Sequence, residues 1–262
     1  MDILEVKIMT TIFKDIDLQK VVNIAKEAGD AILKIYKKNF TVEYKDDKSP
    51  LTEADTKANE IICNALVKLY PNIPIMSEEN KQTEYEVRKN WEYYWCIDPI
   101  DGTKEFIKKN GEFTVNIALI HKDTPVLGVV YAPVLNEMYR AKKDEGAYLN
   151  NKKLPFQIND TPKEKLNVVA SKSHLSKETQ EFIDKLDTKE IEQISRGSSL
   201  KLCMVATGTA DIYPRLAPTM EWDTAAADAI VRESGKMTYQ FESKTPMLYN
   251  KENLLNPWFV VS

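Results

Sequence analysis

The chain has 262 residues, enough for one large domain or two lobes sharing a cleft. Its 43% hydrophobic and 29% charged content is that of a folded globular protein and excludes a disordered or fibrous one. The net charge is −4, and the pairs Lys37-Lys38, Lys108-Lys109, Lys142-Lys143 and Lys152-Lys153 are scattered among acids. They read as solvated surface, with no basic stripe for a nucleic-acid polymer.

Cys63, Cys96 and Cys203 are an odd number, lack CxxC spacing and each sit in an apolar stretch. The expectation is three buried thiols in a reducing, cytoplasmic-type compartment. Met1 to Phe13 is interrupted by Asp2, Glu5 and Lys7, which does not read as a signal peptide, and no apolar run has the length of a bilayer span.

In chain order, Asp17 is the expected N-cap of a helix with apolar positions Val21, Ala25, Ala28, Ile32 and Ile35. A second helix follows Thr52, with the stripe Ala54, Ala58, Ile61, Ile62, Ala65, Leu66 and Leu69, and ends before Pro71. Ile73 to Met76 and Tyr93 to Ile97 read as buried strands. Thr114 to His121, Val126 to Tyr131 and Glu137 to Ala141 read as an antiparallel meander. Beyond about Pro155 the pattern alternates. Strands are expected at Asn167 to Ala170, Ile191 to Ser195, Ala210 to Tyr213 and Trp258 to Val261, and helices at Lys177 to Leu186, Ser198 to Ala206 and Thr224 to Glu233. The prediction is an α/β protein of two layered lobes, 1–157 and 158–262, with the boundary in the polar segment Pro155 to Pro162.

The string Asp98-Pro99-Ile100-Asp101-Gly102-Thr103 carries the most chemistry. Pro99 removes a ladder donor and is expected to turn the chain out of its sheet. Two carboxylates three residues apart can then converge on one hard cation that prefers oxygen ligands. Asp101 is placed at a helix N-cap, so that the N–H groups of Gly102 and Thr103 cradle an anion. Glu78 follows a strand and can reach the same sheet edge. Asp223 is the expected N-cap of the Thr224 helix, whose Ala225-Ala226-Ala227 run permits close packing. Asp55 lies in the first turn of the second helix, where the dipole favours a carboxylate whatever its role.

These residues resemble the inositol monophosphatase superfamily of magnesium-dependent, lithium-sensitive phosphatases. Asp98-Pro99-Ile100-Asp101-Gly102-Thr103 and Trp222-Asp223-Thr224-Ala225-Ala226 are complete. Ser77-Glu78-Glu79 and Leu51-Thr52-Glu53-Ala54-Asp55 occur in order, and the likeness runs from about Leu18 to the C-terminus. Within it, four strings look like those of CysQ-type 3'(2'),5'-bisphosphate nucleotidases. They are Lys104-Glu105-Phe106, Gly197-Ser198-Ser199-Leu200-Lys201, Tyr213-Pro214-Arg215-Leu216-Ala217-Pro218-Thr219 and Asn253-Leu254-Leu255-Asn256-Pro257.

The resemblance implies a layered αβαβα sandwich and two or three Mg²⁺ ions held by Glu78, Asp98, Asp101, Asp223 and the Ile100 carbonyl. It implies phosphate contacts from Gly102 and Thr103, water activation by Thr103 with Glu78, and help from Asp55 in placing a further metal and water. His174, Ser198, Lys201 and Arg215, with Asp223 at the border of the same cleft, are the expected substrate contacts, and the substrate is a small nucleotide. Ser198 is expected at a helix start with Lys201 one turn later on the same face. His121, at a strand end, reads as structural. Three alternatives stay open: an inositol or sugar phosphatase, a non-catalytic metal- or phosphate-binding regulator, and a metal-dependent nuclease.

Overall fold

The computed structural model describes residues 13–38, 40–44, 50–156, 165–170 and 176–262. His174 and most of the expected lobe boundary lie outside the described residues. Helix α1 (Leu18–Tyr36) starts where expected: Asp17 Oδ1 accepts from the Gln19 N–H at 2.8 Å, and Val21, Ala25, Ala28 and Ile32 are buried. Strands β1 (Val42–Tyr44) and β2 (Pro50–Thr52) pair antiparallel and lead into α2 (Glu53–Leu69). Thr52 caps α2, and Asp55 Oδ2 accepts from both the Thr52 N–H at 2.8 Å and its hydroxyl at 2.6 Å. Such a reciprocal cap stabilises a helix start by about 1 kcal/mol. Leu69, the last residue of the expected stripe, is exposed.

The central sheet comprises β3 (Ile75–Ser77), β4 (Tyr93–Asp101), β5 (Thr114–His121), β6 (Thr124–Ala132), β7 (Glu137–Lys142), β8 (Gly146–Leu149) and β9 (Lys152–Lys153), in that spatial order. Strand β3 runs parallel to β4, and every later neighbour is antiparallel, so the expected meander is present and extends by two short strands. Short helices α3 (Tyr85–Arg88) and α4 (Thr103–Ile107) flank β4. One correction concerns Pro99. Strand β4 continues through it to Asp101, and the lost donor is accommodated by a shift in the β4–β5 pairing between Asp98 and Asp101.

Side chains alternate across this sheet. Ile97, Val115, Ile117, Leu119 and Val129 face α1 and α2, while Cys96, Ala118, Ile120, Val130 and Ala132 share a core with α6 (Leu200–Thr207) and α7 (Glu221–Glu233). The alanine run does what its size suggests: Ala225, Ala226 and Ala227 are fully buried, and a Cβ on Gly128 of β6 would stand 2.1 Å from the Ala226 carbonyl oxygen. Beyond these helices lies a third set of strands. Strand β14 (Phe259–Val261) sits between β12 (Tyr213–Arg215) and β13 (Thr238–Gln240), while β10 (Lys165–Val169) pairs parallel with β11 (Glu190–Ile194) and bridges Val168 to Ile212. Val169 faces the middle helices, whereas Val168 packs outward on Ile183 of α5 (Lys177–Asp184). The order helix, sheet, helix, sheet, helix is the αβαβα sandwich.

Two surface expectations change. Lys142 is buried, its Nζ donating to the Ile16 carbonyl at 2.9 Å. Cys63 is half-buried on α2, its thiol 3.3 Å from Asn59 Oδ1, whereas Cys96 and Cys203 are buried thiols as expected. His121 is structural, with Nε2 2.6 Å from Glu92 Oε1 and its ring stacked on Tyr93. Among the described residues no helix is long and apolar enough to cross a membrane.

Candidate active site

Strand ends and one helix start deliver the acids. Glu78 leaves β3 with its N–H bonded to the Ile97 carbonyl at 3.1 Å, which sets it beside the end of β4. Asp98, 2% exposed, accepts from the Ile100 N–H at 3.0 Å across the bulge. Asp223 sits in the first turn of α7. It is not the N-cap: Met220 is, and Asp223 Oδ2 accepts from the Met220 N–H at 2.8 Å. Glu78, Asp98 and Asp223 each bring a carboxylate oxygen within 4.8 Å of the others. Three chain regions therefore meet at one point.

Asp101 stands beside this trio with its Oδ2 engaged by the Ser199 N–H at 2.5 Å and the Asn116 amide at 3.5 Å. It does not cap a helix either. Gly102 is the N-cap of α4, at a φ of 91° that favours glycine. The Thr103 hydroxyl lies 3.3 Å from Asp55 Oδ1 and 3.2 Å from the Ile100 carbonyl oxygen, so its one proton serves one acceptor at a time. Asp55, Ile100, Thr103 and the acids are thus brought together as expected.

Crowding carboxylates out of water disfavours their charged forms. Burial, then Glu78, Asp101 and Asp223, hold Asp98 well above the usual carboxylate range. Burial raises Asp101 to about 6 against the opposing pull of Lys201. Burial and then Asp101 raise Asp223 to about 8. Burial also raises Asp55. A folded chain that assembles such a set has a place for a cation. The donors are all oxygens, which suits a hard divalent ion such as Mg²⁺ and does not suit a softer ion that prefers nitrogen or sulfur. The residues fit the expected metal.

Beside the acids a cleft of about 220 Å³ is lined by residues that include Asp101, Ser198, Lys201, Tyr213, Arg215 and Asp223. Ser198 is not at a helix start. It lies two residues before α6 at a φ of 45°, and its buried hydroxyl has no partner among the described residues. Lys201 does not project from the helix face. It folds back so that Nζ donates to the Ser198 carbonyl at 2.7 Å and the Arg196 carbonyl at 3.4 Å. Burial lowers its pKa to about 8, with Asp101 acting in the opposite sense. Arg215 Nη2 donates to the Pro218 carbonyl at 3.0 Å, while its buried Nε has no partner among the described residues. Both cations therefore belong to the cleft and not to the open surface.

Sequence reasoning passed over Ser199, Asn116 and Thr114. The Ser199 hydroxyl bonds Asn116 Oδ1 at 3.0 Å and meets the Thr114 hydroxyl at 2.9 Å, while its N–H holds Asp101. A signal existed: Asn116 interrupts an apolar strand, and a buried amide needs partners. Glu112 was also missed. It accepts from the Gly197 N–H at 2.9 Å and pins the loop that carries Ser198.

The arrangement defines a class, and the chain belongs to the inositol monophosphatase family, whose profile matches residues 17–257. It is 46% identical over 247 residues to the 3'(2'),5'-bisphosphate nucleotidase CysQ of Salmonella typhimurium, covering 94% of this chain and 99% of that one. It is 38% identical to the protein of the same name from Haemophilus influenzae, covering 93% and 91%. The crystal structure of CysQ from Bacteroides thetaiotaomicron superposes with a TM-score of 0.83 at 44% identity, covering 94% of this chain and 96% of that chain. An IMPase of Thermotoga maritima superposes with a TM-score of 0.73 at 26% identity, covering 92% and 89%.

Proposed function

We propose that the protein removes the 3'-phosphate of adenosine 3',5'-bisphosphate by Mg²⁺-dependent hydrolysis, giving AMP and phosphate. The observation that carries the substrate is a pair of buried donors, Ser198 Oγ and Arg215 Nε, that find no partner among the described residues, in a cleft that also holds Asp101 and Asp223. A buried donor without a partner costs about 1–3 kcal/mol, and a second anionic group on the substrate would satisfy both. The names of the CysQ relatives support the same substrate.

Glu78, Asp98, Asp101, Asp223 and the Ile100 carbonyl would hold Mg²⁺, which would supply the positive charge that a phosphate dianion needs and make water a better nucleophile. The chain supplies the rest. Thr103, its hydroxyl proton directed to Asp55 or the Ile100 carbonyl, can use its lone pairs to orient the attacking water. Glu78, at the edge of the acid cluster, is the group to accept the water proton. The left-handed Gly102 lets the turn pass close to its neighbours, since an added Cβ would stand 3.3 Å from the Glu112 carbonyl oxygen and from Ser198 Cβ. Arg215 and Ser198 hold the 5'-phosphate, and Lys201 keeps the Ser198 loop in place from behind.

A phosphate-release panel with Mg²⁺ tests the reading. Adenosine 3',5'-bisphosphate is expected to turn over well ahead of inositol 1-phosphate and fructose 1,6-bisphosphate. Faster release from inositol 1-phosphate would overturn the substrate, and release from RNA or DNA would overturn the small-molecule reading.

A further inference from the structure

The string Asn253-Leu254-Leu255-Asn256-Pro257 has no part in the chemistry above, yet it lies against the helix start that carries Asp223. That start is unusual. An N-cap normally supplies a side-chain oxygen to the exposed N–H groups of the first turn, and Met220 has none to give. Its position must be fixed from elsewhere.

Asn256 does this. It is 4% exposed, and its amide nitrogen donates to the Met220 carbonyl at 2.8 Å, with Thr224 Oγ1 at 3.0 Å and Thr219 Oγ1 at 3.3 Å. Its backbone N–H donates to the Thr219 carbonyl at 2.8 Å. The amide oxygen accepts from Lys251 Nζ at 3.3 Å, and that ammonium is 2.6 Å from Glu221 Oε1. The Glu221 carboxylate in turn receives the N–H groups of Asn250 at 2.7 Å and Lys251 at 2.9 Å. One amide thus grips residues on both sides of Asp223. Because Asp223 Oδ2 is bonded to the Met220 N–H, whatever fixes Met220 also fixes the carboxylate that Asp223 brings to Glu78 and Asp98.

We infer that Asn256 is a positioning residue for Asp223, setting the geometry of the cation site from a loop that never touches the cation. The inference rests on Asp223 serving as a metal ligand, as proposed above. Partners of this kind behind metal ligands typically govern metal affinity by about 10–100-fold.

The test uses Mn²⁺ titrated into the metal-free full-length protein, followed by calorimetry, beside the thermal midpoint of each variant. Asn256→Ala is expected to weaken Mn²⁺ binding about tenfold or more. Asn256→Asp, which keeps the shape and loses the amide donors, is expected to do the same. If Asn256→Ala does not fold, Asn256→Ser carries the measurement. Ile183→Ala is the control for plain destabilisation: it opens the outer core between α5 and β10, and is expected to lower the midpoint while leaving Mn²⁺ affinity unchanged. Unchanged Mn²⁺ affinity in the Asn256 variants overturns the inference, as does an equal loss in Ile183→Ala. Asp223→Asn separates the premise. If it binds Mn²⁺ as tightly as the parent, the ligand reading falls and takes the inference with it. If it loses Mn²⁺ while the Asn256 variants do not, only the inference falls.

Discussion

The N–H of Ser199 donates to Asp101 Oδ2 at 2.5 Å across 98 residues of chain. The bond joins the end of a central-sheet strand to the cap of a middle-layer helix, and it leaves Asp101 one oxygen to offer a cation. Asp98 differs: its buried carboxylate spends one bond on the Ile100 N–H and otherwise faces other acids.

Asp98→Asn is therefore expected to cut Mg²⁺-dependent phosphate release by at least about a hundredfold while leaving the chain folded, since the side chain serves the ion more than the core. The metal-free variant is expected to melt higher than the metal-free parent, because one member of a repelling buried set has gone. Near-normal turnover would show that Asp98 does not hold the metal.

Arg215→Ala is expected to lower kcat/KM for adenosine 3',5'-bisphosphate by about tenfold or more, equivalent to at least about 1.4 kcal/mol of transition-state stabilisation. Slow hydrolysis of inositol 1-phosphate, which has no second phosphate for Arg215 to hold, is expected to change little. Equal losses on both substrates would remove Arg215 from substrate choice and leave the phosphatase reading intact.

The pH dependence follows from the raised acids. Asp101 at about 6 and Asp223 at about 8 bind protons more tightly folded than unfolded. Between roughly pH 4 and 8 the folded state thus carries the extra protons, and stability of the metal-free protein falls as pH rises through that window. Lys201, lowered to about 8, reverses the sign above that pH, where the unfolded chain holds the extra proton. Mg²⁺ displaces protons from the carboxylates, so the rise in melting temperature on adding Mg²⁺ should be larger at pH 8 than at pH 6. Thermal scans at the two pH values, with and without Mg²⁺, check this; a larger rise at pH 6 would contradict it.

Gly128→Ala probes the close approach of β6 and α7. With 2.1 Å to the Ala226 carbonyl oxygen and 2.8 Å to the Ala229 Cβ, the added methyl meets backbone and cannot be met by a rotamer change. A loss of about 1–3 kcal/mol or more is expected in urea unfolding. An unchanged midpoint would mean that the sheet and helix separate easily.

Much of this was readable in the residues because the signals were local. Asp17 and Thr52 sit where polar residues precede apolar stripes, and both cap helices. The β5–β6–β7 meander is legible because β5 and β6 are long and apolar and β7 follows them closely. Other features depend on contacts that sequence spacing does not display. Asp223 looks like an N-cap, but the helix begins earlier because Leu254 and Asn256, some thirty residues on, hold Glu221 and Met220. Ser198 looks like a helix start, but Glu112 binds the adjacent Gly197 and bends the loop into a left-handed turn. Strands β8, β9 and β13 have two to four residues each, too few to show a period. In the acid cluster the residue types were legible, whereas the amides and hydroxyls that aim them come from distant segments.

The place of α7 between two sheets also bears on the order in which the protein can be completed. The central sheet is finished at Lys153, yet the helix that covers one of its faces ends at Glu233. On the ribosome the sheet therefore emerges with Ala118, Ile120 and Val130 bare, and they stay bare until much of the remaining chain has been made. Exposed apolar sheet faces in incomplete chains are natural clients for chaperones and natural seeds for aggregation. For this protein the vulnerable interval in its production is set by the distance along the chain between a sheet and its lid.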